Sequence, residues 1–120
     1  GGICKEATMK RKYLLLLVSI LALPATANVE QDVDVLIEQI AQSPCTFIRN
    51  GESYDQQQAA EHIRKKWHYA KDDVADIQVF ISEVASKSWF SGKPYMVKCG
   101  ETQITSEAWL NQLWQQAEQP

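Results

Sequence analysis

Apolar residues recur at three- and four-residue intervals between Asn28 and Gln42, placing Val29, Val33, Leu36, Ile37, Ile40 and Ala41 on one stripe. That period predicts a helix with a single buried face, ended at Ser43-Pro44 because proline cannot continue the backbone ladder. From Cys45 to Arg49 the run is short, β-branched and aromatic, a strand signal, and Asn50-Gly51 marks a turn. Asp55, with Gln58 three residues on, has the spacing of a capping box. The helix it opens is expected to reach about Lys71 and to bury Ala59, Ile63, Trp67 and Ala70. Asp72-Asp73 interrupts it, and Asp76 is expected to cap a third helix with Ile77, Phe80, Ile81, Val84 and Ala85 inward. Ser86 to Pro94 is polar and turn-forming. Tyr95 to Cys99 reads as a second strand, and Glu101 to Ile104 as its return arm around Gly100. Thr105 or Ser106 starts a last helix that buries Trp109, Leu110, Leu113, Trp114 and Ala117. The pattern predicts an α+β fold: about four helices packed on a small two- or three-stranded antiparallel sheet.

The N-terminal segment has a different pattern. Met9 precedes Lys10, Arg11 and Lys12, then an apolar run from Tyr13 to Leu23, Pro24, and Ala25-Thr26-Ala27. A basic start, a short apolar core and an A-x-A end predict a secretory signal peptide over 9–27, cleaved before Asn28. The alternative is a membrane-anchoring or buried N-terminal helix. The absence of a cysteine just after Ala27 argues against a lipid anchor. Residues 1–8 are expected to be vector sequence or to precede the true start, leaving 28–120 as one domain.

Composition refines this reading. At 45% hydrophobic and 22% charged residues, the chain has an ordinary globular balance. The formal net charge is −3; residues 1–27 carry +3, which leaves −6 on residues 28–120. An acidic domain argues against nucleic acid as a partner and favours basic partners. No apolar run reaches the roughly 18–20 residues of a spanning helix, so no stable membrane insertion is expected after cleavage. Cys45 and Cys99 are the only thiols beyond the leader. In an oxidising compartment they predict one disulfide closing a loop of 54 positions, worth about 4 kcal/mol by chain entropy; the alternative is two buried free thiols. A C-x-x-C redox motif is absent.

Candidate chemistry gathers in and near the loop 86–95. Gly92 with Lys93 forms a potential anion nest, although the serines Ser86, Ser88 and Ser91 equally fit a turn that bonds the carbonyls of the preceding helix end. The spacing is not that of a P-loop. His62 and His68, six residues apart on a helix, face different directions and cannot share a metal. His68 and Asp72 supply only two ligands, so neither a metal nor another cofactor is expected. A nucleophilic serine beside His62, oriented by Glu61 or Asp55, has no local G-x-S-x-G support; His62 fits better as a half-buried helix residue, and no catalytic residue is assigned. Arg49, Arg64, Lys65 and Lys66 read as a solvated basic face, or, if Arg49 and Arg64 converge, as a carboxylate or phosphate receptor. Trp89-Phe90 in a polar loop is either a lid over the core or an exposed anchor.

Three segments carry a family resemblance: C-T-F-I-R-N-G at 45–51, A-A-E-H-I-R-K-K at 59–66, and F-I-S-E-V-A-S-K-S-W-F-S-G-K-P-Y at 80–95. In this order they resemble the YfeK-like family of small exported bacterial proteins, domain of unknown function 5329. The resemblance implies a periplasmic, mostly helical α+β protein and brings no activity, substrate or catalytic residue.

The expected function is a non-catalytic binding or accessory module with Arg49, Asn50, Ser88, Trp89, Ser91, Gly92, Lys93 and Tyr95 as binding residues. Its partner is expected to be an exported protein or a small anion, because binding residues concentrate on loops held by a rigid scaffold. Two alternatives stand. One is a small cell-envelope hydrolase using Ser91, Lys93 and Tyr95 with His62. The other is an inhibitor of a basic exported hydrolase, since Ser91-Gly92-x-x-Tyr95 is similar to the S-G-x-x-Y loop of some periplasmic lysozyme inhibitors, which are however β-barrels.

Overall fold

The computed structural model describes residues 28–118. The expected signal peptide at 9–27 and the residues before it lie outside them. The first helix, α1, spans Val29–Gln42 and is capped by Asn28, whose side chain accepts from the Glu30 and Gln31 backbone N–H groups. Its buried residues, Val33, Leu36, Ile37 and Ile40, are four of the predicted stripe. Two strands follow, β1 (Thr46–Arg49) and β2 (Glu52–Tyr54), then α2 (Gln56–Ala70) behind the capping box of Asp55 and Gln58. Helix α3 begins as Ile77–Val79, capped by Asp76, and continues as a π-helical segment, Phe80–Val84. Strands β3 (Met96–Cys99) and β4 (Thr102–Thr105) lead into α4 (Ser106–Glu118).

The sheet is antiparallel throughout, in the order β2-β1-β3-β4. It has four strands where the sequence predicts two or three. The extra strand, β2, is only three residues long and half-buried at one of them, Tyr54, so it leaves no alternating apolar pattern. Asn50 and Gly51 both have positive φ, 51° and 82°, the geometry of a tight two-residue hairpin turn.

Pairing registers decide which side chains share a face. Tyr54, Phe47, Val97 and Ile104 stand in one row across the sheet. Phe47 and Val97 are buried beneath the helices, and Phe47 meets Trp109 edge-to-face at 5.4 Å. Two positions along the same face, Arg49 pairs with Glu52, and continuing the β1–β3 register puts Tyr95 on Arg49's other side. The opposite continuation sets Cys45 against Cys99, which are disulfide-bonded with Cα atoms 4.4 Å apart, the spacing of a directly opposed pair. Lys98 and Thr46, on the other face, are exposed.

The π turn gives α3 its wide buried face: the Ala85 backbone N–H donates to the Phe80 carbonyl, and Phe80, Ile81, Val84 and Ala85 are all buried. Phe80 meets Trp67 edge-to-face at 5.7 Å. Some details depart from the sequence pattern: Ala70, Leu113 and Trp114 are only partly covered. Ala117 is exposed, because α4 has passed the edge of the core by its last turn, and in α2 it is Ala60 that is buried while Ala59 is only half-covered.

Candidate functional site

The segment 86–95 is a hydrogen-bonded hairpin rather than a free loop. Tyr95 N–H donates to Ser86 O (2.8 Å), Ser88 N–H to Lys93 O (3.0 Å) and Gly92 N–H to Ser88 O (2.8 Å). The Ser88 hydroxyl accepts from the Phe90 and Ser91 backbone N–H groups at 3.2 Å each, and the Ser91 hydroxyl accepts from Lys93 N–H while donating to Asn50 Oδ1 at 2.8 Å. Ser86 donates to the Ile81 carbonyl at the helix end. These bonds already use the backbone donors of Gly92 and Lys93, so the anion nest is closed by the turn itself. The turn instead holds two aromatics outward. Phe90 is 99% exposed and Trp89 47%, and Tyr69 of α2, 84% exposed, lies 5.8 Å from the Trp89 ring. The Trp89 indole N–H donates to Glu83 O at 2.7 Å, which fixes the ring's orientation.

Behind this face, five polar side chains meet. Arg49 reaches from β1 to His62 of α2, its Nη1 lying 2.7 Å from Nε2 and 2.9 Å from Nδ1, and its Nη2 donates to the Tyr54 hydroxyl at 3.0 Å. The Tyr95 hydroxyl lies 3.2 Å from His62 Nε2 and accepts from Lys66 Nζ at 2.9 Å. Lys66 is buried, with its ammonium also donating to Lys87 O (2.8 Å) and lying 4.4 Å from the Trp89 ring centre. A cation over an indole face is attracted by the ring quadrupole, so Lys66 fastens the hairpin from below.

No carboxylate balances this cluster. The ion pairs among the described residues are Arg64–Asp34 and Lys87–Glu83, and neither includes Arg49 or Lys66. Burial, then the charges of Arg49, Lys66 and Lys65, push the His62 imidazole down to about 4. Geometry points the same way: a guanidinium only donates, so the ring nitrogen receiving it must carry a lone pair. Burial, then repulsion from Arg49 and Lys87, lowers the Lys66 ammonium to about 8. Burial raises the Tyr95 phenol, against the opposing pull of Arg49. Arg49 is held above its ordinary value chiefly by the Tyr54 hydrogen bond and stays cationic.

A pH prediction follows for His62. Its folded value lies below the unfolded one, so the unfolded chain takes up the proton first, and stability present above about pH 6.5 is lost as pH falls toward 4. Full burial would make that loss about 3 kcal/mol; partial exposure lowers it to about 1–2 kcal/mol. Urea unfolding at pH 7 and pH 4.5 should show this difference, and His62→Gln should remove it. An unchanged slope in that variant would place the acid sensitivity elsewhere.

Next to the cluster lies a cleft of about 160 Å³ between the sheet and helices α2 and α4. Phe47, Ile63, Trp109 and Leu110 form its apolar walls, and Arg49, Tyr54, His62 and Tyr95 its polar side. Of the residues singled out in the sequence, Arg49, His62 and Tyr95 meet here. Asn50, Ser88 and Ser91 organise the turn, where Gly92 has φ +75° and Lys93 is exposed. Trp89 lies on the aromatic face, half-exposed rather than folded away. Arg49 and Arg64 do not converge: Arg64 pairs with Asp34 of α1. Lys66 is not part of a solvated face; it lies on the buried side of α2 beside Ile63 and Trp67. His62 is half-buried as expected, but its partners are Arg49 and Tyr95 and include no serine. In the S-G-x-x-Y run Tyr95 is buried while Ser91 and Gly92 are exposed, so the three share no surface. Sequence reasoning passed over Tyr54 altogether. Its place opposite Phe47 is visible only once the turn at Asn50-Gly51 is closed.

Among the described residues, no three or more His, Cys, Asp or Glu side chains group as metal ligands, and no helix is long and apolar enough to cross a membrane. A model described as a family of unknown function, DUF5329, matches residues 27–118. The chain is similar to the uncharacterized protein YfeK of Salmonella typhimurium, with 34% identity over 92 residues, covering 72% of this chain and 77% of that protein. No solved structure matches.

Proposed function

The chain belongs to the DUF5329 family of unknown function, and from that premise we propose that it is an exported, non-catalytic binding module whose contact face is the aromatic hairpin 86–95 together with Tyr69. The observation that carries this reading is the exposure of Phe90, 99%, at the tip of a turn fixed by its own hydrogen bonds. A wholly exposed phenylalanine leaves its ring in water, and a rigid turn keeps the ring from collapsing onto the core. Both costs are offset when a partner covers the ring, and aromatic side chains dominate such contacts. The basic, apolar leader at 9–27 and the disulfide support export to an oxidising compartment such as the periplasm. The partner on this reading is an exported protein. The hydrolase alternative has no serine beside its base, whose hydroxyl neighbour is Tyr95, and the Tyr95 of the inhibitor motif is buried.

Tyr69→Ser/Phe90→Ser tests the reading without touching the core, since both rings are exposed. Oxidised parent and variant would be incubated with periplasmic extract, and the affinity for any captured protein measured with purified components. The parent should bind at least about 30-fold more tightly, the effect of truncating a contact hot spot. Equal retention by both proteins, with thermal unfolding unchanged, would overturn the aromatic face as the contact.

A further inference from the structure

The cleft under Arg49 is a second feature, independent of the aromatic face. We propose that it is a binding site for a small carboxylate with an apolar tail, the head paired with Arg49 and the tail lying against Phe47, Ile63, Trp109 and Leu110.

Charge argues for the head. Arg49 is the only charged residue lining the cleft, which contains no Asp or Glu, and it has no ion-pair partner among the described residues. Its Nη1 meets both nitrogens of the His62 ring and its Nη2 donates to the Tyr54 hydroxyl, with Tyr95 also beside it, so part of its five N–H bonds is already used. A guanidinium carries its N–H bonds in one plane, and those not taken by these groups point where a carboxylate can accept them. Its ring partner His62 is uncharged at neutral pH, so it neither competes for the anion nor repels the guanidinium strongly enough to displace it. The Tyr54 ring, 4.6 Å from Arg49 Cζ, braces the guanidinium from one side. Side-chain hydroxyls of Tyr54 and Tyr95 stand at the same end of the cleft and give the head further polar neighbours.

Shape argues for the tail. An apolar cavity of about 150 Å³ takes up benzene, and this cleft has about 160 Å³. One aromatic ring or a chain of about six carbons matches that volume, and the apolar walls suit such a tail better than a sugar's hydroxyls. A single available cation also favours a monoanion over a phosphate dianion, because Lys66 is committed to Tyr95 and Lys87.

Benzoate, hexanoate, acetate and the neutral benzamide would be titrated calorimetrically into the oxidised protein at pH 7. Benzoate or hexanoate should bind at least tenfold more tightly than acetate, and benzoate at least tenfold more tightly than benzamide, with amide shifts in NMR spectra centred on Arg49, Ala59, His62 and Leu110. Arg49→Gln should weaken benzoate binding about 10- to 100-fold, the range for a lost charged hydrogen bond. Ala59→Leu, which fills the cleft without removing a polar group, should abolish it while the protein still unfolds cooperatively. Tyr69→Ser/Phe90→Ser should leave it unchanged, which separates this site from the aromatic face. Absence of binding below 10 mM (roughly −3 kcal/mol), equal affinity for acetate or benzamide, or full binding by a folded Ala59→Leu protein would each overturn the proposal.

Discussion

Reduction of the Cys45–Cys99 bridge, or its replacement by two alanines, is expected to lower stability by about 4 kcal/mol. The bond closes a sequence separation of 54 residues, and cross-linking a loop of that length removes about that much entropy from the unfolded chain. In a domain of roughly 90 residues each kcal/mol moves the melting temperature by about 4–8 °C, so a fall of at least 15 °C should be visible by circular dichroism. The loss extends to the site. The bridge locks β1 to β3 in the register that places Arg49 opposite Tyr95, and the reduced protein should show broadened NMR signals at both. A melting temperature within about 3 °C of the oxidised form, roughly the span of half a kcal/mol, would mean that strand pairing alone fixes the register.

Phe80→Ala is expected to cost about 3–5 kcal/mol, the range for emptying a buried aromatic site. Phe80 is wholly buried and stacks edge-to-face on Trp67, and its neighbours Ile81 and Val84 are held by the same π segment. The surrounding helices come from three separate parts of the chain, so the cavity cannot close by a local shift. Phe80→Leu keeps most of the volume and should cost markedly less. Chemical denaturation of the two variants checks the order, and a loss under about 1 kcal/mol for Phe80→Ala would show that the π turn relaxes into the space.

Much of this fold is legible along the chain, for reasons that differ by element. Helix α1 announces itself because Val33, Leu36, Ile37 and Ile40 repeat on one face. Helix α2 announces its start through Asp55 and Gln58. The strands flanking the cysteines follow from the β-branched runs and from the pairing of the thiols themselves. Strand β2 is silent: Glu52 and Ser53 are exposed and polar, and only tertiary pairing makes them a strand. The site is legible in fragments. Arg49, His62 and Tyr95 stand out by residue type, but nothing along the chain shows that His62 joins the other two. Arg64, Lys65 and Lys66 are three consecutive cations, and only helical phase separates the one that is buried from the two that are not. Lys66 lies three residues after Ile63 and one before Trp67, on their face of the helix, and that spacing was the available signal.

Asn50 immediately follows Arg49 in the chain and is bonded to Ser91 in the aromatic hairpin, while the Lys66 ammonium touches both Trp89 and the Tyr95 hydroxyl. The cleft and the outer face therefore share two mechanical joints. Occupants of the two places are bound by thermodynamic reciprocity: whatever factor a molecule in the cleft applies to affinity at the hairpin, the hairpin's partner applies to the cleft in return. In a domain this small the chain itself runs from the hairpin into the cleft at Tyr95, and one amide and one ammonium brace the same junction between inside and outside.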